Sequence, residues 1–219
     1  MNLQAHRLYS YFIVIAILTA LSATGCSTPG RSSATKATDA VAALQQRLTT
    51  GEQQLGATVV SLSDLVNKPQ GDLQPQYKKF LDNLDKLESQ IKKGQSERAA
   101  MTSQADAYFA KWEDGTQKLQ NQEIKQTATS RREAMQASFD KIGNEIKSAK
   151  PQFDMLMRDL RETKQALDFD LTPGGINAIK PVVSKVQDEA AAVKTHIAAI
   201  RSELGQVSKE LASTAPSTQ

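Results

Sequence analysis

Only 5% of the 219 residues are aromatic, and the chain holds one cysteine, one tryptophan, 11 glycines and 7 prolines. A single cysteine, Cys26, excludes an intrachain disulfide framework. Sparse aromatics disfavour one large globular core and suit thin seams between helices. Low glycine and proline, with abundant Ala, Gln, Lys and Glu, favour helix. Charge of one sign is scarce as well. The formal net charge is +3, and residues 1–25 hold Arg7 alone among Lys, Arg, Asp and Glu, so the remainder carries 3 − 1 = +2. That balance, with no clustered basic face, gives no reason to expect a nucleic-acid partner. Walker loops, Gly-rich dinucleotide turns, zinc-ligand spacings and nucleophile motifs are all missing. No cofactor, metal or catalytic residue is therefore expected, and the chain is not read as an enzyme.

What is present is a pair of heptad seams. Stepping by three and four from Met135 gives Met135, Phe139, Ile142, Ile146, Ala149, Phe153, Leu156, Leu160, Thr163 and Leu167, of which only Thr163 is polar. The same step from Ile176 gives Ile176, Ile179, Val183, Val186, Ala190, Val193, Ile197, Ile200, Leu204, Val207 and Leu211, none of them polar. A strict 3-4 alternation keeps an apolar stripe on one line of a helix. Two such stripes joined by a turn-rich segment predict an antiparallel hairpin.

The N-terminus carries an address. His6 and Arg7 precede an uncharged apolar run over residues 9–21. A bilayer crossing takes about 20 apolar residues, so this run has the length of a signal h-region instead. Ala23, Thr24 and Gly25 then lead into Cys26. Small residues before a cysteine, directly after an h-region, resemble a bacterial lipobox. The resemblance implies cleavage before Cys26, a diacylglyceryl thioether on its sulfur and an acylated new N-terminus. Several acyl chains hold a protein on a membrane far better than one marginal chain. The plainer readings are a free cysteine after an ordinary secretory signal, or a retained signal anchor. Ser27 rather than Asp follows the cysteine, which resembles the pattern of lipoproteins sent to the periplasmic face of the outer membrane. Residues 26–37 are thus expected to be an acylated Cys26 and a flexible Ser/Thr/Gly/Pro tether.

Residues 38–211 are expected to form the coiled-coil helical domain, with a frayed polar tail over 212–219. Thr38 or Asp39 can cap a first helix. Val41, Leu44, Leu48, Gly51, Leu55, Thr58, Leu62 and Leu65 then form a weaker seam, which Pro69 and Gly71 end. A second helix starts near Leu73, with Pro75 in its first turn. It steps through Tyr77, Leu81, Leu84, Leu87, Ile91, Met101, Ala105, Tyr108 and Trp112. The phase slips between Leu119 and Ile124, beside Gly115 and a polar run over 117–125. With no Pro–Gly turn there, the simplest reading is a stutter in one continuous helix reaching Leu167, about 140 Å long at ~1.5 Å per residue. Pro151 is expected to kink it. Thr172 and Pro173 suit a cap and first helical position. Pro181 either starts the last helix or bends its first turns. The fold is thus all-α, with long antiparallel coiled-coil hairpins. It is either a three-helix extended rod or, if the chain bends at residues 112–130, a four-helix bundle. Both arrangements bring Cys26 near Tyr108, Phe109 and Trp112.

Those three aromatics are the candidate partner or membrane-interface patch; the plainer reading is core packing. His196 stands beside seam residue Ile197 without a second ligand, which disfavours a metal or general-base role. Asp168 and Asp170 flank Phe169 and read as turn residues before a cation site. Val59, Val66 and Val182 would stay half exposed on a two-stranded seam, favouring self-association or a protein partner.

From about Gln104 to Leu211 the chain resembles a bacterial lipoprotein family catalogued only as a domain of unknown function (DUF2959-like). The likeness rests on Ala107-Tyr108-Phe109-Ala110-Lys111-Trp112-Glu113, then Arg131-Arg132-Glu133, then the two seams. At the second turn the family pattern is rich in Lys, His and Asn, where this chain has Asp168-Phe169-Asp170. The resemblance implies fold and location and brings no activity. The expectation is a lipid-anchored envelope protein with a scaffold or adaptor role. The alternative is a lipid binder whose amphipathic helices open onto the membrane, which would need broad apolar faces in place of strict seams.

Overall fold

A computed structural model describes residues 29–214. Five helices follow one another: α1 (Pro29–Asn67), α2 (Gln74–Gln117), α3 (Gln122–Phe169), the short α4 (Pro173–Ala178) and α5 (Lys180–Thr214). The all-α hairpins are there, and they close as a four-helix bundle. Antiparallel α1–α2 and α3–α5 hairpins stand side by side. α1 also packs on α5 and α2 on α3, so the four long helices form an up-down-up-down ring.

The long helix of the extended rod is interrupted. α2 ends at Gln117 and its chain turns over residues 118–121. The Lys118 and Leu119 amides donate back to Gly115 and Thr116 carbonyls. Asn121 then opens α3: its extended backbone places Oδ1 to accept from the Glu123 and Ile124 amides at 2.9 and 3.1 Å. A side-chain cap that satisfies two orphan donors starts a helix without proline or glycine. Glu123 in the first turn adds favourable charge at the dipole's positive end. The turn brings α3 back along α2, where Arg132 meets Glu113 at 2.9 Å. The longest helix has 48 residues, hence about 72 Å.

The tether expectation also needs correction, since residues 29–37 belong to α1. Ser33, Thr35 and Thr38 turn their hydroxyls onto the carbonyls of Gly30, Arg31 and Ala34. Such back-bonding lets Ser and Thr sit inside a helix. Ala37 is buried against the opposite helices. Thr38 and Asp39 lie within α1 and do not cap it. At the other terminus, residues 212–214 continue α5.

The remaining turns follow the sequence. Gln76 closes the 68–73 turn, accepting from the Gln70 amide and donating to the Lys68 carbonyl. Thr172 caps α4 by accepting from the Gly175 amide at 3.2 Å, with Pro173 next. α5 begins at Lys180, so Pro181 sits in its permissive first turn. α3 continues through Pro151, which faces solvent.

Every residue of the last seam is buried except Ile197, which is half-buried. Two apolar clusters fill the bundle. One holds Leu62, Phe80, Leu84, Leu160, Leu167 and Val186 near the α3–α4 turn. The other holds Val41, Met101, Phe109, Phe139, Ile142 and Leu204 toward the α2–α3 turn. Ion pairs mark the waist between them: Arg47 to Glu97 at 2.7 Å and Arg201 to Glu52 at 3.0 Å. Val66, expected to be half exposed, is 1% exposed within the first of these clusters; Val182 does remain on the surface.

Candidate functional site

Cys26, Ala23, Thr24 and Gly25 lie outside the described residues. The structure does fix which end of the bundle they precede. α1 pairs with α2 through Arg47 and Glu97. The eighteen residues from Arg47 back to Pro29 match the eighteen from Glu97 on to Gly115. Arg47 also lies against Gly94, and Thr58 bonds the Asn83 carbonyl, so Pro29 is level with residues 112–115, in the last turns of α2. Cys26 is three residues before Pro29, a reach of about 11 Å at most.

At this end the three candidate aromatics separate into different roles. Tyr108 and Phe109 are buried in the cluster with Val41, Met135 and Phe139. Phe109 meets Phe139 edge-to-face, centroids 5.5 Å apart and planes at 89°. Tyr108 stacks obliquely on both Phe109 and Trp112, at 5.4 and 5.5 Å. These two side chains are core, so they do not form an exposed patch. The fold-back of α3 supplies the covering layer. Trp112 alone reaches the rim, half-buried. It lines an open groove of about 460 Å³ with Glu123, Ile124, Thr127, Ala128 and Arg131.

Large apolar side chains remain in water here: Ile124 is 56% exposed and Leu119 36%. Lys118 pairs with Asp114 and Arg132 with Glu113. Lys111, Lys125 and Arg131 stand near them and take part in no ion pair among the described residues.

Two polar clusters escaped the sequence reading. In the α3–α5 interface, Asp159 is 5% exposed and Glu189 4%. Asp159 accepts from Lys185 Nζ at 2.6 Å and from Arg158 at 3.1 Å. The hydrogen bond from Lys185, aided by Arg158, holds the Asp159 carboxyl below the usual carboxylate range. The Lys185 ammonium is raised in turn, by Asp159 first and then Glu189. Glu189 has Lys185 at 3.3 Å, yet neither carboxylate oxygen has a hydrogen-bond partner. At the far end of the bundle the Tyr77 hydroxyl donates to Asp168. Burial, then that bond, push the phenol up. Lys164 first, then Tyr77, lower Asp168. Asp168 is thus a cross-helix tie as well as a turn residue. Asp159 and Glu189 each directly precede a seam residue, Leu160 and Ala190, which was the one available signal.

His196 is half-buried on α5. Among the described residues no group of three or more His, Cys, Asp or Glu side chains could hold a metal ion. Among those residues, too, no helix is long and apolar enough to cross a membrane.

No curated protein and no solved structure matches the chain. A family match runs over residues 30–212, so it takes in the first hairpin as well as the second. The chain belongs to the family described as protein of unknown function (DUF2959).

Proposed function

We propose that this is a lipid-anchored envelope protein, held by acylated Cys26 at the periplasmic face of the outer membrane, whose helical bundle acts non-catalytically as a scaffold or adaptor. The observation that carries the reading is the position of Cys26. It follows an h-region and three small residues, and it stands only three residues before a helix that runs straight into the bundle. An acyl anchor there would leave the bundle's far end, with its 84% exposed Phe169, turned away from the bilayer.

The inward seams support this reading over one in which amphipathic helices open onto lipid. α2 and α3 engage each other least of the four neighbouring pairs. Ile91, Ile146 and Phe153 stay half-buried along the middle of those helices. A partner helix or a second copy would gain apolar contact at that edge.

The experiment is fractionation of the full chain and its Cys26→Ser variant in a two-membrane bacterium. The wild-type chain is expected in the membrane fraction after a salt wash and in solution after detergent. The variant is expected to leave the membranes. A variant that stays on salt-washed membranes would remove the lipid anchor from the account.

A further inference from the structure

We infer that the α2–α3 turn is a second membrane contact, in which Leu119, Ile124 and the rim of Trp112 sit in the lipid interface beside the acyl chains of Cys26. The inference rests on the anchor proposed above and adds a docked orientation to it.

Chain length comes first. Cys26 can stand no more than about 11 Å from Pro29, and Pro29 is level with residues 112–115. Gln117 and the turn at 118–121 project past that level along the same axis. Three residues are long enough for lipid on Cys26 to reach the height of the turn, where a bilayer holding it would face Leu119 and Ile124.

Chemistry comes second. Most large apolar residues of the bundle are covered, yet Ile124 is 56% exposed and Leu119 36%, only five positions apart on either side of the Asn121 cap. Trp112 opens onto the same groove as Ile124. An indole with one buried and one wet edge suits the headgroup boundary. Lys125 lies in the first turn of α3 and Arg131 lines the groove, while Lys118 is tied to Asp114, and basic side chains are drawn to anionic lipid within a Debye length. The buried Tyr108, itself packed on Phe109, stacks against Trp112. Two aliphatic side chains and an indole rim are too little to hold a soluble protein on a bilayer. Beside an acyl anchor they need only orient it, so that the bundle stands on this end.

Trp112 is the only tryptophan, so intrinsic fluorescence reports on the site directly. The full acylated chain is reconstituted into phosphatidylethanolamine–phosphatidylglycerol vesicles, with and without bromine on the upper acyl carbons. Flotation of the vesicles reads the anchor, and quenching of Trp112 by bromine reads the docked end. The expected result is flotation with blue-shifted, quenched emission. Leu119→Ser with Ile124→Ser should float equally well and lose the quenching, while Phe169→Ser at the far end should keep it. All three positions are exposed, so the fold should tolerate the changes. Flotation without quenching in the wild-type chain would overturn the inference and leave the anchor standing. A chain that does not float would overturn both. A photo-crosslinker at position 124 that joins two copies of the chain, with Trp112 unquenched, would assign this surface to self-association instead.

Discussion

Replacing Phe109 and Phe139 with leucine, singly and together, measures whether α2 and α3 fold back on each other. The rings meet edge-to-face at 5.5 Å, and such a pair contributes about 0.5–1.5 kcal/mol beyond its area burial. Leucine is the right probe. Alanine at either site would cost about 3–5 kcal/mol, and two such losses would exhaust a typical total of about 5–15 kcal/mol. Leucine keeps most of the volume, so each single change should cost roughly 1–2 kcal/mol. The two single costs should exceed the cost of the double variant by about 1 kcal/mol, because the second substitution finds the ring pair already gone. The assay is urea unfolding of residues 27–219 followed by circular dichroism, with slopes compared so that only stability changes are scored. In one uninterrupted helix the two rings, thirty residues apart, would be separated by about 45 Å. Additivity within about 0.3 kcal/mol would then be found, and that result would refute the folded-back turn at 118–121.

Three further outcomes follow from particular contacts. A Cβ on Gly175 would overlap the Asp170 carbonyl oxygen and come within 2.8 Å of its Cγ, so Gly175→Ala should lower stability by about 1–3 kcal/mol; an unchanged melting curve would show that the second turn relaxes freely. Glu189 is buried with Lys185 at 3.3 Å as its one charged neighbour, and Lys185 keeps Asp159 at 2.6 Å, so Glu189→Met should change stability by less than about 1 kcal/mol, and a loss of about 3 kcal/mol would show that the Lys185–Glu189 pair stabilises the interface. Asp159 is lowered by Lys185 and Arg158, so its stabilisation is present above the unfolded value near about pH 4 and is lost as pH falls through the lower folded value. Asp159→Asn should therefore flatten the acid limb of unfolding free energy against pH, and a variant with the wild-type limb would contradict that assignment.

The apolar step of three and four made most of the fold legible. It located both seams, and every seam residue from Ile176 to Leu211 except Ile197 is buried. Turn chemistry located the helix start at Thr172 and Pro173, and of the two readings of Pro181 the one that starts the last helix there is met, since α5 begins at Lys180. The bend at 118–121 was hidden for a physical reason. Asn121 starts α3 with hydrogen bonds to its own amides, and such a cap leaves a fainter mark than Pro and Gly together. Gly115, the phase slip and the polar run over 117–125 were its other traces. Residues 29–37 misled in the opposite direction. Serine and threonine look like tether until tertiary packing, here the burial of Ala37 among α2 and α5 residues, makes the helix worth forming. The site divided along the same line. Composition picked out Tyr108, Phe109 and Trp112, whereas knowing which of them keeps an open edge required the return of α3. Leu119 and Ile124 could not be singled out while that turn was read as continuous helix.

The most direct test of the central claim is the mass of the N-terminal peptide of the full chain isolated from salt-washed membranes. Trypsin should release residues 26–31. The account predicts that this peptide begins at Cys26 and carries the mass of a diacylglyceryl group and an amide-linked acyl chain. A peptide beginning upstream of Cys26, or a cysteine of unmodified mass, would contradict it.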